Sequence, residues 1–228
     1  MHVLLFDIDG TLINTRGSGL ESLRLAFIEV FDCPPPGDIP TCGRTDRGIA
    51  RDLFRAQQVE DSQENWDRFR GAYLRHLRQQ LPRRSGHVLP GIMDLLSRLA
   101  ARPDVALGLL TGNVAEGARL KLEHFGLDHH FAFGGYGERS PERNAVAEEA
   151  LSAAHRALDG AVCLDRTWVI GDTPLDIQGA RHIGAKAVAV ATGLPEKAEL
   201  ARAQPDVLLD DFSQATDFWR RLDEATAA

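Results

Sequence analysis

Asp7-Ile8-Asp9-Gly10-Thr11 sets two carboxylates one residue apart, directly after the apolar run Val3-Leu4-Leu5-Phe6. Packing gives no reason for that pair at a strand end. Burying it unpaired would cost several kcal/mol per charge. Together the two form an anionic pocket suited to a divalent cation, and hard carboxylate oxygens favour Mg²⁺. Gly10 lets the backbone turn sharply, and Thr11 adds a hydroxyl beside the site. Two more polar clusters follow apolar runs. Leu109-Leu110-Thr111-Gly112-Asn113 brings together a hydroxyl, a backbone amide and a helix start, all suited to an anion; a plain helix cap would account for Thr111 or Asn113 equally well. Ile170-Gly171-Asp172-Thr173-Pro174-Leu175-Asp176 offers Asp172 as a second metal carboxylate facing Asp7, or as the N-cap of a helix with Pro174 in its first turn. The two roles are compatible.

These clusters need a scaffold that collects strand ends. From Leu89 onward the chain alternates helical and strand patterns. Ile92, Leu95, Leu96 and Leu99 mark a helix, and Val105–Leu110 a strand. A helix over 116–124 follows, then a short strand at Phe131–Phe133 and an Ala-rich helix over 142–158. Further strands are expected at Trp168–Ile170, Ala187–Ala191 and Val207–Leu209, with a helix through Ile177 and Ile183. The strands are continuously apolar, as when helices cover both faces of a parallel sheet. The class is α/β with a Rossmann-like parallel sheet, and ligands bind beyond the carboxyl ends of such strands. Residues 15–86 hold no credible strand. Ser18-Gly19-Leu20-Glu21 reads as a capping box opening a helix with a stripe of Leu20, Leu23, Phe27 and Val30 or Phe31, ended by Pro34-Pro35-Pro36-Gly37. Helices then start near Thr45 and after Ser62, the last stopping at Pro82. This predicts a core of residues 1–14 and 87–228 interrupted by an inserted helical cap, 15–86, hinged near 14–16 and 85–88. The Ala-rich C-terminus reads as frayed.

The 228 residues, 43% hydrophobic and 26% charged, suit one α/β core with a small insertion. A net charge of −7 without a basic stripe argues against nucleic acid. No run reaches membrane length and no leader pattern opens the chain. Cys33, Cys42 and Cys163 lack metal-ligand spacing and read as inert thiols in a reducing compartment. The expectation is a cytoplasmic monomer or homodimer.

Phe6-Asp7-Ile8-Asp9-Gly10-Thr11-Leu12, the Thr111-Gly112-Asn113 cluster and Gly171-Asp172, in this order, resemble the first, second and fourth motifs of the haloacid dehalogenase-like superfamily, in its phosphatase branch. The resemblance covers nearly the whole chain, cap position included, and is similar to phosphoglycolate phosphatases in its first-type cap. It implies a small phosphorylated metabolite as substrate, Asp7 as the nucleophile forming an aspartyl-phosphate and Asp9 as general acid and base. It implies Mg²⁺ held by Asp7, the backbone carbonyl of Asp9, and Asp172. Thr111 and Gly112, with Asn113 beside them, would bind the phosphoryl group. Asp176 would orient the basic residue of the third motif or a metal-bound water. That third motif departs from the family: Tyr136-Gly137-Glu138-Arg139-Ser140-Pro141-Glu142-Arg143-Asn144 has no lysine. Arg143, in the first helical turn, is the expected substitute, with Arg139 second. In the cap, Cys42-Gly43-Arg44-Thr45-Asp46 would present Arg44 to a substrate anion, and Arg16 lies at the hinge. Asp9 argues against a haloalkanoate dehalogenase, and the absence of lysine over 13–86 against a Schiff-base phosphonate hydrolase. A phosphomutase-type transferase and a catalytically silent binding protein are the alternatives.

Overall fold

Leu4 and Phe6 turn to one apolar layer and Val3 and Leu5 to another, so the first strand is buried on both sides. In a computed structural model, which describes residues 1–35, 37 and 40–227, this strand is β1 (His2–Phe6). It is followed by β2 (Ile13–Asn14), paired antiparallel with β3 (His87–Val88), then β4 (Val105–Thr111) and β5 (Phe133–Tyr136). β6 (Thr167–Gly171), β7 (Lys186–Val190) and β8 (Val207–Leu209) complete the set. Six of these form one parallel sheet in the order β5-β4-β1-β6-β7-β8. The fold is therefore α/β and Rossmann-like, with β1 central.

The register decides what meets at the sheet's carboxyl edge. Phe6 stands opposite Leu109 of β4 and Ile170 of β6. Asp7, one residue on, and Thr111 and Asp172, two residues on, therefore lie at the same edge of the sheet.

The helices are α1 (Ser18–Phe31), α2 (Asp46–Ala56), α3 (Gln63–Gln80), α4 (Ile92–Ala100), α5 (Ala115–His124), α6 (Arg143–Ala157), α7 (Pro174–His182), α8 (Lys197–Arg202) and α9 (Thr216–Ala227). Helices α4, α5 and α9 cover one sheet face through residues such as Leu96, Leu122 and Phe218. Helices α6 and α7 cover the other through Ala150 and Ile177. Between β2 and β3 the described residues form helices α1–α3 and no strand. Helices α1–α3 bury their own cluster around Phe27, Phe54, Phe69 and Trp66, which also takes in Val114 and Leu120 beside and on α5.

Five expectations change. The capping box at Ser18 does not form. Gly17, at φ 81°, turns the chain one residue earlier, and the Ser18 hydroxyl donates to the Thr15 carbonyl at 2.8 Å. Leu20 leaves the expected stripe and is 59% exposed, while Leu23, Ala26 and Phe27 face inward. The strand expected at 131–133 lies over 133–136. Its Phe-Gly-Gly-Tyr sequence looks like a turn, yet Gly135 passes so close under α6 that an added Cβ would stand 2.3 Å from the Val146 carbonyl oxygen. The chain is helical as far as Ala227, the last described residue: Phe218 and Leu222 of α9 are fully buried, and Phe218 meets Trp168 edge-on. Helix α1 ends at Phe31 on a left-handed Asp32, ahead of the proline run, of which Pro36 lies outside the described residues.

Candidate active site

The loop leaving β1 is a tight turn. Thr11, Leu12 and Ile13 all donate backbone N–H groups to the Ile8 carbonyl, and Gly10 adopts φ 83°. A side chain at Gly10 would collide with the Asp172 carboxylate, as would one at Gly193, whose added Cβ would stand 1.6 Å from Oδ2. Backbone thus closes on Asp172 from two sides. The Thr11 hydroxyl donates to its Oδ1 at 3.2 Å. Thr173, not Asp172, caps α7: its side chain accepts from the Asp176 N–H while the Asp176 carboxylate accepts from the Thr173 N–H. That reciprocal cap spares Asp172 for the site.

Carboxylate oxygens of Asp7, Asp172 and Asp176 lie within 4.8 Å of one another, all three residues buried. Burial pushes the Asp7 and Asp172 carboxyls well above their ordinary range; Arg143 opposes this at Asp7, and the mutual repulsion of the acids adds to it. Hard oxygen donors so placed fit a divalent cation, which would hold both in the charged form. The Asp9 side chain does not join this cluster.

Two cations balance the acids. Arg143, the first residue of α6, is buried; its Nη2 lies 3.2 Å from Asp7 Oδ2, hydrogen-bonds Asp176, and reaches the Leu110 carbonyl at 3.3 Å. Its Nε, also buried, has no partner among the described residues. Arg139 is exposed. The second cation, Lys121 on α5, was not expected from the sequence. Its buried Nζ donates to Asp9 Oδ2 at 2.5 Å and to Asn113 Oδ1 at 2.6 Å. Asn113 in turn donates to Asp9 Oδ2 and to the Thr111 hydroxyl, each at 2.8 Å. A signal did exist: Lys121 is one of only three lysines in an arginine-rich chain, and follows the buried Ala118 by one helical turn.

The segment 41–46 reaches the site from the α1–α3 side. Asp46 N–H donates to the Gly112 carbonyl at 2.7 Å, and its Oδ2 accepts the Val114 N–H at 2.8 Å. Arg44 lines the same cavity, but its guanidinium pairs with Asp52 at 2.6 Å. Arg16 stays exposed, its carbonyl accepting from Arg84. Cys42 also lines the cavity, and burial beside the acids pushes its thiol up to about 11, which keeps it inert; Cys163 is exposed. The cavity measures about 380 Å³.

Burial pushes the Asp46 carboxyl up to about 6, with Lys121 and the Val114 N–H pulling it down and Asp9 and Glu138 pushing it further up. A folded-state value above the ordinary 3.8 means that the proton binds the folded form more tightly. The stability from this group is present below about 4 and lost as pH rises through about 6. Asp46→Asn keeps an acceptor for Val114 and carries no charge. Its stability relative to the wild type should therefore rise by about 2–3 kcal/mol between pH 4 and 7.5, checked by urea midpoints. A constant difference would mean that Asp46 is not a buried charge.

Residues 4–190 match the model of the haloacid dehalogenase-like hydrolases. The chain belongs to that family and, within it, to the phosphatases. It is 27% identical to a phosphoglycolate phosphatase of Agrobacterium fabrum over 93% of this chain and 89% of the relative. It is 27% identical to another of Mesorhizobium japonicum, over 94% and 92%. The crystal structure of CbbY from Rhodobacter sphaeroides in complex with phosphate superimposes with a TM-score of 0.71 at 19% identity, covering 94% of this chain and 96% of that one. No helix among the described residues is long and apolar enough to cross a membrane.

Proposed function

We propose that this phosphatase hydrolyses a small phosphate monoester in a Mg²⁺-dependent reaction, through an aspartyl-phosphate on Asp7. The observation that carries the reading is the meeting of Asp7, Asp172 and Asp176 with a buried Arg143 in one cavity. Phosphoryl transfer asks chiefly for positioning and for neutralisation of spread negative charge. Asp7, the Asp9 carbonyl and Asp172 would hold the metal, which when bound neutralises charge on the phosphoryl oxygens. Asp7 Oδ attacks phosphorus. Asp9, half-exposed to the cavity, gives its proton to the leaving oxygen and then takes one from the hydrolytic water. Lys121 and Asn113 hold the Asp9 carboxylate in place. Thr111, Gly112 and Asn113 line the phosphoryl cradle, and Arg143, oriented by Asp176, balances Asp7. Residues 15–86 act as a cap domain over the core formed by 1–14 and 87–228, excluding water when closed.

Phosphate release from a panel of small monoesters tests the reading. Chelation followed by dialysis should abolish turnover, and Mg²⁺ should restore it. Full activity in a verified metal-free preparation would refute the metal dependence, and no release from any ester the phosphatase reading.

A further inference from the structure

All basic side chains on the cavity wall are already in ion pairs: Arg143 with Asp7 and Asp176, Lys121 with Asp9, and Arg44 with Asp52. Asp46 is the acid on that wall to which the phosphoryl-transfer chemistry gives no role. It engages the Val114 N–H through Oδ2, and its Oδ1 makes no hydrogen bond among the described residues. The apolar part of the wall includes Tyr73, Leu20, Leu23 and Ile49.

Resting on the phosphatase reading, we infer that the alcohol half of the substrate is uncharged and donates a hydroxyl hydrogen bond to Asp46, so that esters whose alcohol half carries a carboxylate are rejected. With Arg143 engaged by the phosphoryl group, the cavity wall offers no unpaired cation among the described residues for a second anion. Lys121 is committed to Asp9, and an incoming carboxylate would stand beside Asp46 on the same wall. Asp46 is charged at neutral pH, since its carboxyl titrates near 6. A hydroxyl instead supplies a donor to the Asp46 Oδ1, which makes no hydrogen bond among the described residues. The volume of about 380 Å³ leaves room for a polyol, being within the roughly 300–1,000 Å³ of sites that enclose whole small molecules. The apolar residues would pack on its carbon skeleton.

The test measures kcat/KM for two matched pairs in Mg²⁺ at pH 7.5: glycerol 3-phosphate against 3-phosphoglycerate, and 2-hydroxyethyl phosphate against 2-phosphoglycolate. Like charges about 5 Å apart at an effective dielectric near 20 correspond to discrimination on the order of 10²-fold. The neutral member of each pair is expected to be favoured by that factor. Asp46→Asn should narrow the ratio to within about tenfold. A wild type that handles the carboxylate member as well or better overturns the inference, whatever the variant does. So does an unchanged ratio in Asp46→Asn that melts cooperatively. Para-nitrophenyl phosphate separates the two levels: if it is hydrolysed while the pairs fail or favour the carboxylate, only the inference falls. If no ester releases phosphate, the phosphatase reading falls and takes the inference with it.

Discussion

Asp7→Asn is expected to lower phosphate release by a factor on the order of 10⁴ or more while the protein stays folded. The amide is a poor nucleophile, and no other carboxylate can take its place. Asp172 is enclosed by backbone near Gly10 and Gly193, and Asp176 is held by Arg143 and the Thr173 cap. Asp9 is held by Lys121 and Asn113. Folding should survive because Asn matches Asp in shape and relieves repulsion among three buried acids. In chelator, the melting midpoint of Asp7→Asn should be no lower than that of the wild type. This is the usual conflict between a charged site and stability. Near-normal phosphate release from a folded Asp7→Asn would sink the covalent mechanism.

The second large effect concerns Arg143. Arg143→Ala should cost about 10²–10³-fold in kcat, the scale of losing one preorganised electrostatic contact. Asp7 and Asp176 would face each other and the phosphate with no protein cation between them. Arg143→Lys should recover only part of the loss, because a single ammonium cannot reproduce a guanidinium that touches Asp7, Asp176 and the Leu110 carbonyl. Arg139→Ala, altering an exposed side chain, should leave kcat within about threefold of the wild type, as surface changes commonly do. A full-activity Arg143→Ala would move the balancing charge to Lys121. Melting curves must accompany the rates, since removing one partner of a buried pair also destabilises the fold.

Strands whose side chains are buried on both faces must be apolar throughout, and acids at their ends have no packing role. For that reason β1, β4, β6 and β8, and the carboxylates Asp7, Asp9 and Asp172, were legible from residue order alone. The helical character of 15–86 was legible for a similar reason: apolar residues recur there at helical spacing. Three things were not. The Gly-Gly core of β5 carries no side-chain signal, since its conformation answers to the backbone of α6 pressing on it. Thr173 takes the cap in place of Asp172 because Asp176 is three residues on and can reciprocate, a choice between neighbours that composition leaves open. Lys121 shows the limit most clearly. A lysine on a helix is ordinarily solvated, and only the docking of α5 against the β1 turn brings its ammonium to Asp9. Burial of an ion pair depends on partners 112 residues apart in sequence, and distance of that kind is settled by tertiary packing.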